Sequence, residues 1–440
     1  MVEKKNWGII GGGMLGMTLA LRLAQQGQQV TIYEASEKVG GLTSSWEMDG
    51  TVWDRFYHVI LMSDLNTRKI IEEIGLENDL RWVETKTGFY SGGKLYSMSN
   101  IIEFFKFPPI NIIDKFRLGL TIFIASKIKN WKKLENILVA DWLTQWSGKR
   151  VFEKIWLPLL KAKLGDNYKN TSAAFIWTTI QRMYAARKSG LKKEMFGYLS
   201  GGYEKINQQF AGHLLSLGVS IEYNSKVSSI KKTATEMLEV VVDNSVHNFD
   251  NVISTLSSYA SVMMANELTE DEKQKHKNIK YLGVICPSVL LKKPISPFYV
   301  TNITDNWPPF TGVIEMTALI DKKEVNGKHL IYLPKYVNSD DPLFDKDDSA
   351  VRKLFLDALF KMYPEISDDD LIFWGVSKAR FVFALPTINY SKQIPGITTS
   401  IKNYYIVNSA QIINGTLNVN ETIQVAENKL KEILTKDVYN

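Results

Sequence analysis

The sequence predicts an α/β chain: a parallel sheet with helices on both faces, interleaved with a second domain of α+β character. Three observations predict it. A strand, glycine turn, helix and strand fill the first 34 residues. Strand-and-helix blocks of similar type return near residues 201 and 404. Long inserts of different composition separate these blocks.

Trp7-Gly8-Ile9-Ile10 reads as a short buried strand. It runs into Gly11-Gly12-Gly13-Met14-Leu15-Gly16, then into a helix whose Leu15, Leu19 and Leu23 recur every fourth residue. Gly27 closes that helix, and Gln29-Val30-Thr31-Ile32-Tyr33 is a second strand leading to Glu34. The order is that of a Rossmann-like dinucleotide site. Gly11 allows the tight turn, Gly13 lets backbone approach a pyrophosphate, and Gly16 lets the helix pack closely on the strand. The helix N-terminus offers free N–H groups to phosphate, and Glu34 offers a carboxylate to ribose hydroxyls. This fingerprint alone does not separate NAD from FAD.

The continuation does. Ala35-Ser36-Glu37-Lys38-Val39-Gly40-Gly41-Leu42-Thr43-Ser44 places a Gly-Gly pair shortly after the acid. Here the chain resembles the flavoprotein superfamily of amine oxidases, protoporphyrinogen oxidases, phytoene desaturases and sugar-nucleotide mutases. The resemblance implies FAD, with the backbone of Gly40 and Gly41 against its phosphates and ribityl chain. Met14 and Leu15 in the turn, and Ala35, Leu42 and Thr43 beside the acid and the glycine pair, complete this part of the expected cofactor site. Many amine oxidases carry Arg where this chain has Leu42. The match therefore leans toward the desaturase and protoporphyrinogen-oxidase branches.

Two later blocks carry the same resemblance. Gly201-Gly202-Tyr203-Glu204-Lys205-Ile206 opens a helix with apolar Ile206, Phe210, Leu214 and Leu217, followed by strands at 219–222 and 226–230. The resemblance puts the backbone of Val227 against adenine and lays the strand Asp250–Thr255 against the cofactor domain. At the C-terminus, the strand Tyr404–Ser409 leads to Asn418-Val419-Asn420 and a helix to about Leu434. Asn408-Ser409 stand where the family has Gly-Asp at the ribityl chain. Asn418 or Asn420 is a suitable helix N-cap, and the start of that helix, at Asn418 and Val419, is expected beside the flavin pyrimidine ring.

These blocks predict an FAD-binding domain made of 1–75, 195–265 and 395–440, and a substrate domain made of 76–194 and 266–394. In the first insert the patterns predict short strands between Trp82 and Tyr96, then helices at 112–129, 139–147, 150–163 and 172–188. In the second they predict a helical start near 258–278 and strands at 281–291, 298–303, 312–316 and 329–333. Helix 349–362 and strand 371–374 follow.

The resemblance implies hydride transfer from an apolar or partly apolar organic substrate to flavin N5, with the cofactor carrying most of the chemistry. Tyr57 and His58 are the candidate catalytic residues, His58 for proton handling. Gly415-Thr416-Leu417 and the run Phe381–Pro386 are candidates for the pocket wall. Lys292 or Lys293 is a candidate for the lysine that some relatives hold near N5, against a surface pair. Two rivals share the scaffold: a sugar-nucleotide mutase, and a non-catalytic binder like the GDP-dissociation inhibitors of prenylated GTPases. An NAD-linked dehydrogenase has no place for the downstream blocks.

Composition bounds the rest. The chain is 45% hydrophobic and 23% charged, which excludes a disordered chain. A single cysteine, Cys286, in an apolar run, excludes a disulfide framework and Cys-based zinc sites. The five histidines are scattered, which disfavours a metal enzyme. The longest apolar stretch, 118–125, is far short of the ~20 residues a spanning helix needs. The start has no apolar signal-peptide core, so a cytoplasmic protein is expected. Residues 101–200 hold 18 Lys or Arg against 7 Asp or Glu, and five of the 11 tryptophans. That basic, Trp-rich segment suits a solvated helical face or a peripheral membrane contact through Phe104–Phe107 and Trp131–Lys133. Nucleic acid is not expected, since no recognised module accompanies the charge.

Overall fold

Five parallel strands drawn from three separate stretches of chain form one sheet, in the order Ser220–Glu222, Gln29–Tyr33, Asn6–Ile10, Asn251–Ser254 and Tyr404–Ile406. The computed structural model describes residues 3–186, 195–413 and 416–437. The strands are short and apolar because both sheet faces are covered: Ile9, Ile32, Val252, Ile253 and Ile406 are fully buried. Helices Met14–Gln25, Gly202–Ser216 and Val419–Asp437 belong to this unit. On the opposite side an antiparallel meander, Val227–Lys232, Leu238–Val242 and Ser245–Phe249, shares a core with Ile10 and Tyr33. The chain order reverses between the strands Asn6–Ile10 and Asn251–Ser254, so a crevice opens at their carboxyl ends.

The two inserts share a second sheet of eight strands. Its central strand, Tyr281–Leu291, pairs antiparallel with Lys335–Asn338, His329–Tyr332 and Leu371–Ala384. The first insert joins through a hairpin, Thr87–Ser91 and Lys94–Ser97, whose first strand runs parallel to Val300–Ile303. Helices Ile112–Lys127, Val139–Ser147, Leu157–Leu164 and Ala173–Ala186 carry the core beside it.

Several elements depart from the sequence expectation, three of them near the domain junction or the insert core. The strand expected at 371–374 runs from Leu371 to Ala384, because it pairs with nearly the whole length of Tyr281–Leu291. The helix expected at 150–163 is broken: a π turn covers Phe152–Trp156 before the helix Leu157–Leu164. Pro158 has no N–H to give to the preceding turn. The strand Met195–Leu199, unforeseen, pairs with Ile60–Leu61 and Leu80–Glu84. It thereby touches both sides of the boundary placed at 75.

Candidate active site

The crevice is built from backbone. Gly11 has φ +104°, and a Cβ there would stand 2.5 Å from Thr255 Oγ1. Gly16 is tighter still, since an added Cβ would fall 2.0 Å from Gly11 O. Gly13 faces open space and stands as the N-cap of helix Met14–Gln25, with no side chain satisfying the first N–H groups. Those donors and the helix dipole make a seat for phosphate.

Glu34 ends the second strand, buried. Its Oε2 accepts from Gly12 N–H and its Oε1 from Ser36 N–H, both at 2.8 Å. Each oxygen keeps a lone pair, which suits the two hydroxyls of a ribose. Gly40 N–H donates to Gly12 O, and Gly13 and Gly40 form a parallel bridge, so the second glycine pair lies directly on the first turn.

The helix Gly202–Ser216 clamps that second loop. Asn207, buried, stands where a Cβ on Gly40 would lie 2.5 Å from its Nδ2. Glu204 accepts from Ser45 Oγ–H, Lys38 Nζ–H and Gln208 Nε2–H. Burial opposes its charge, but these donors hold its carboxyl below the usual range. Neither residue was expected from sequence. The signal for Asn207 is a polar residue within the apolar stripe of Tyr203, Ile206, Phe210 and Leu214.

Beyond the clamp lies the segment with Asp54, Tyr57 and His58. Asp54 Oδ1 accepts from Tyr203 N–H (2.9 Å), and its Oδ2 is 3.8 Å from His58 Nδ1. Burial pushes the Asp54 carboxyl up to about 8 and the His58 imidazole down to about 4. Both shifts favour the uncharged form. Tyr57 OH and Tyr336 OH share a hydrogen bond of 2.9 Å. Burial pushes the Tyr57 phenol up to about 12 and that of Tyr336 well above its ordinary value. Both rings lie deep in protein yet keep part of their surface accessible, so they border a crevice. Leu42, Phe56 and Leu417, partly buried, pack on the same core.

The remaining expected residues are placed as follows. Met14 and Leu15 are buried in the first helical turn, Ala35 is exposed, Thr43 is buried, and Val227 is buried at the start of the meander. The side chain of Asn408 is fully engaged within the protein. Its Oδ1 accepts from Ala410 N–H, and its Nδ2 donates to Leu256 O and Ser258 Oγ. That side chain thus holds its own loop in place, with Ser409 partly exposed beside it. Asn418 caps its own helix by accepting from Glu421 N–H (3.0 Å), and Val419 begins that helix. Asn420 instead accepts from Asn66 and Thr67 N–H, capping the helix Leu65–Glu73. Lys292 and Lys293 are exposed at the end of their strand, with Lys293 paired to Asp370 (3.1 Å), so neither serves the crevice. Phe383 is buried against Phe175, whereas Phe381 is 41% exposed and stacks on Tyr259 at the surface, outside any pocket wall. Gly415 lies outside the described residues.

Comparison with known proteins agrees with this geometry. The family profile described as flavin containing amine oxidoreductase matches residues 15–380. The zeta-carotene desaturase of Synechocystis sp. is 25% identical over 252 residues, 52% of this chain and 51% of that protein. The chain spans about half the length of the curated relatives it matches. A protein assigned as a protoporphyrinogen oxidase from Exiguobacterium sp. superposes with TM-score 0.77 at 15% identity, over 99% of this chain and 100% of that one. Reduced UDP-galactopyranose mutase superposes with TM-score 0.74 at 14% identity, over 99% of this chain and 94% of that one. At such identities these structures establish the α/β fold alone.

The residues present fit the cofactor that this family takes. Uncapped N–H donors, glycines with no room for Cβ and a ribose-ready Glu34 suit the adenosine and pyrophosphate of a dinucleotide, and the cofactor is FAD. With its profile matched from residue 15 to residue 380, the chain belongs to the flavin-containing amine oxidoreductase family.

Proposed function

We propose that the chain is an FAD-dependent oxidoreductase that removes hydride from carbon in an apolar or partly apolar organic substrate. The observation that carries this reading is the aromatic crevice bordered by the hydrogen-bonded Tyr57 and Tyr336, with Leu42, Phe56 and Leu417 packed on the same core. When bound, FAD supplies the hydride acceptor at N5. Gly11, Gly13, Gly16, Glu34, Gly40 and Gly41 hold its adenosine and pyrophosphate, supported by the 1–75, 195–265 and 395–440 segments acting as a cofactor domain. Tyr57 and Tyr336 exclude water and orient the substrate. Asp54 and His58, both shifted toward the uncharged form, lie behind those rings, which suits an apolar occupant. His58 Nδ1 is the atom proposed to take a proton.

The likeness to a zeta-carotene desaturase supports an extended apolar substrate over an amine. A mutase reading needs free arginines for a diphosphate. Arg150 is instead paired with Asp114 (3.2 Å) and Arg182 with Asp64 (2.8 Å), Arg117 is exposed with its guanidinium against Gly148, and Arg187 lies outside the described residues.

A peripheral contact with an anionic membrane is part of the proposal. The helix Ile112–Lys127 exposes Ile112, Ile113, Phe116, Leu120 and Phe123, each more than half accessible, and Lys127 lies 5.3 Å from the Phe123 ring. Exposed Lys106, Lys129, Lys132 and Lys133 surround this stripe in sequence. Of the expected anchors, Phe107 is buried and Phe104 and Trp131 are half-buried, whereas Phe105, Lys106, Lys132 and Lys133 are exposed. No helix among the described residues is long and apolar enough to cross a membrane.

The test is anaerobic mixing of purified flavin-loaded protein with a panel of polyenes, tetrapyrroles and fatty acids. Bleaching of the flavin by one of them is the expected outcome. Isomerisation of a nucleotide sugar only after chemical reduction would establish the mutase instead. A colourless protein with no releasable flavin would establish the binder.

A further inference from the structure

We propose that Lys163 anchors a carboxylate on the substrate, at the side of the crevice where Tyr336 and Tyr57 meet. This rests on reading that crevice as the substrate site. Lys163 sits in the last turn of the helix Leu157–Leu164, and its Nζ lies 3.2 Å from the centre of the Tyr336 ring. Tyr336 in turn shares its hydroxyl proton with Tyr57. Like the two tyrosines, Lys163 is surrounded by protein while part of its surface stays accessible, and its contact with the Tyr336 ring puts it at the same crevice.

Of the neighbouring lysines, Lys161 is exposed to solvent and others have protein partners. Lys149 pairs with Glu153, Lys169 with Asp166, and Lys154 donates to Pro109 O. Among the described residues no acid pairs with Lys163, and burial alone pushes its ammonium down to about 7. A cation in an apolar crevice is costly unless an anion meets it, and a tyrosine face offsets only part of that cost. A ligand anion would supply the rest.

The charge balance selects the anion. Lys335, the nearest basic neighbour in sequence to Tyr336, points to the other face of its strand and donates to Pro309 O. One cation matches one negative charge, which fits a carboxylate on an apolar body and not a diphosphate. A purely structural lysine is not needed to dock this helix. Leu160 and Leu164 are buried, Thr311 Oγ1–H donates to Ala162 O (2.8 Å), and Asn167 Nδ2–H donates to Asn338 Oδ1 (2.7 Å).

The experiment titrates the flavin-loaded protein with laurate and with methyl laurate, reading the flavin absorbance. Wild type is expected to bind laurate about tenfold more tightly than its ester, the size of one charge-assisted hydrogen bond. Lys163→Met should lose that preference while keeping the ester affinity and the flavin spectrum, and Lys163→Arg should retain it. An acid-to-ester ratio unchanged by Lys163→Met would overturn the anchor and leave the crevice reading intact. Failure of both ligands to perturb the wild-type flavin would overturn the crevice reading, and the anchor with it.

Discussion

Asn207 and Thr43 hold each other although 164 residues separate them: Asn207 Nδ2–H donates to Thr43 O (2.9 Å), and Thr43 Oγ1–H reaches Asn207 Oδ1 (3.1 Å). The pair fastens the Gly40-Gly41 loop to the helix Gly202–Ser216. Asn207→Leu keeps the size of the side chain but takes the side-chain donor from Thr43 O, while the Thr43 hydroxyl keeps Gly40 O at 2.9 Å. It is expected to cost about 1–3 kcal/mol of stability and to weaken FAD binding about tenfold, as one lost buried hydrogen bond does. Flavin-release titration and thermal unfolding with and without FAD measure both. An unchanged FAD affinity would show that the clamp does not shape the cradle.

Asp54 is the residue to probe by pH. Its carboxyl titrates near 3.8 when unfolded and about 8 when folded, so the folded state holds the extra proton between those values. Stability from this group is full below pH 3.8 and is lost as pH rises through 8, by at most about 1.4 kcal/mol per pH unit. Asp54→Asn keeps the acceptor for Tyr203 N–H and cannot ionise. The variant should therefore gain on wild type as pH rises from 5 to 9. Parallel unfolding curves across that range would contradict a protonated Asp54.

His58 carries the opposite sign. Burial lowers its imidazole to about 4, so the stability it contributes is present above pH 6.5 and declines as pH falls through 4. His58→Ala should retain FAD and lower turnover about 10²-fold or more, as general acid–base groups typically contribute. The acid limb of the wild-type rate profile should lie near pH 4, well below an ordinary histidine. Undiminished turnover would remove His58 from proton handling.

The exposed stripe of Ile112–Lys127 predicts salt-sensitive sedimentation with phosphatidylserine vesicles. Phe116→Glu with Phe123→Glu places two carboxylates where rings would insert. Each lost ring contact is worth about 1.5–3 kcal/mol, so binding should fall at least tenfold while the flavin spectrum is unchanged. Equal sedimentation of variant and wild type at low ionic strength would dismiss this surface as the contact.

Much of the framework is legible in sequence because it is local. Gly11 and Gly16 announce themselves by spacing, and the structure shows backbone and Thr255 where their side chains would go. The helix expected at 139–147 is found at Val139–Ser147, and the strand expected at 281–291 at Tyr281–Leu291. Tyr336 carried no signal, since its strand Lys335–Asn338 is short and lacks a clear alternation. The tryptophans misled: their enrichment in a basic segment suggested a surface, but the helices turn Trp142, Trp156 and Trp177 inward and put Ile, Leu and Phe outside.

By itself the sequence determined the dinucleotide cradle and the family, because a glycine's missing Cβ and an acid's distance along one strand are properties of neighbouring residues. The tertiary structure alone decided the aromatic crevice, the shifted Asp54–His58 pair, the Asn207 clamp and the setting of Lys163. Each of these joins segments far apart in the chain. Their chemistry depends on how much water and protein surround a group, which no local pattern encodes.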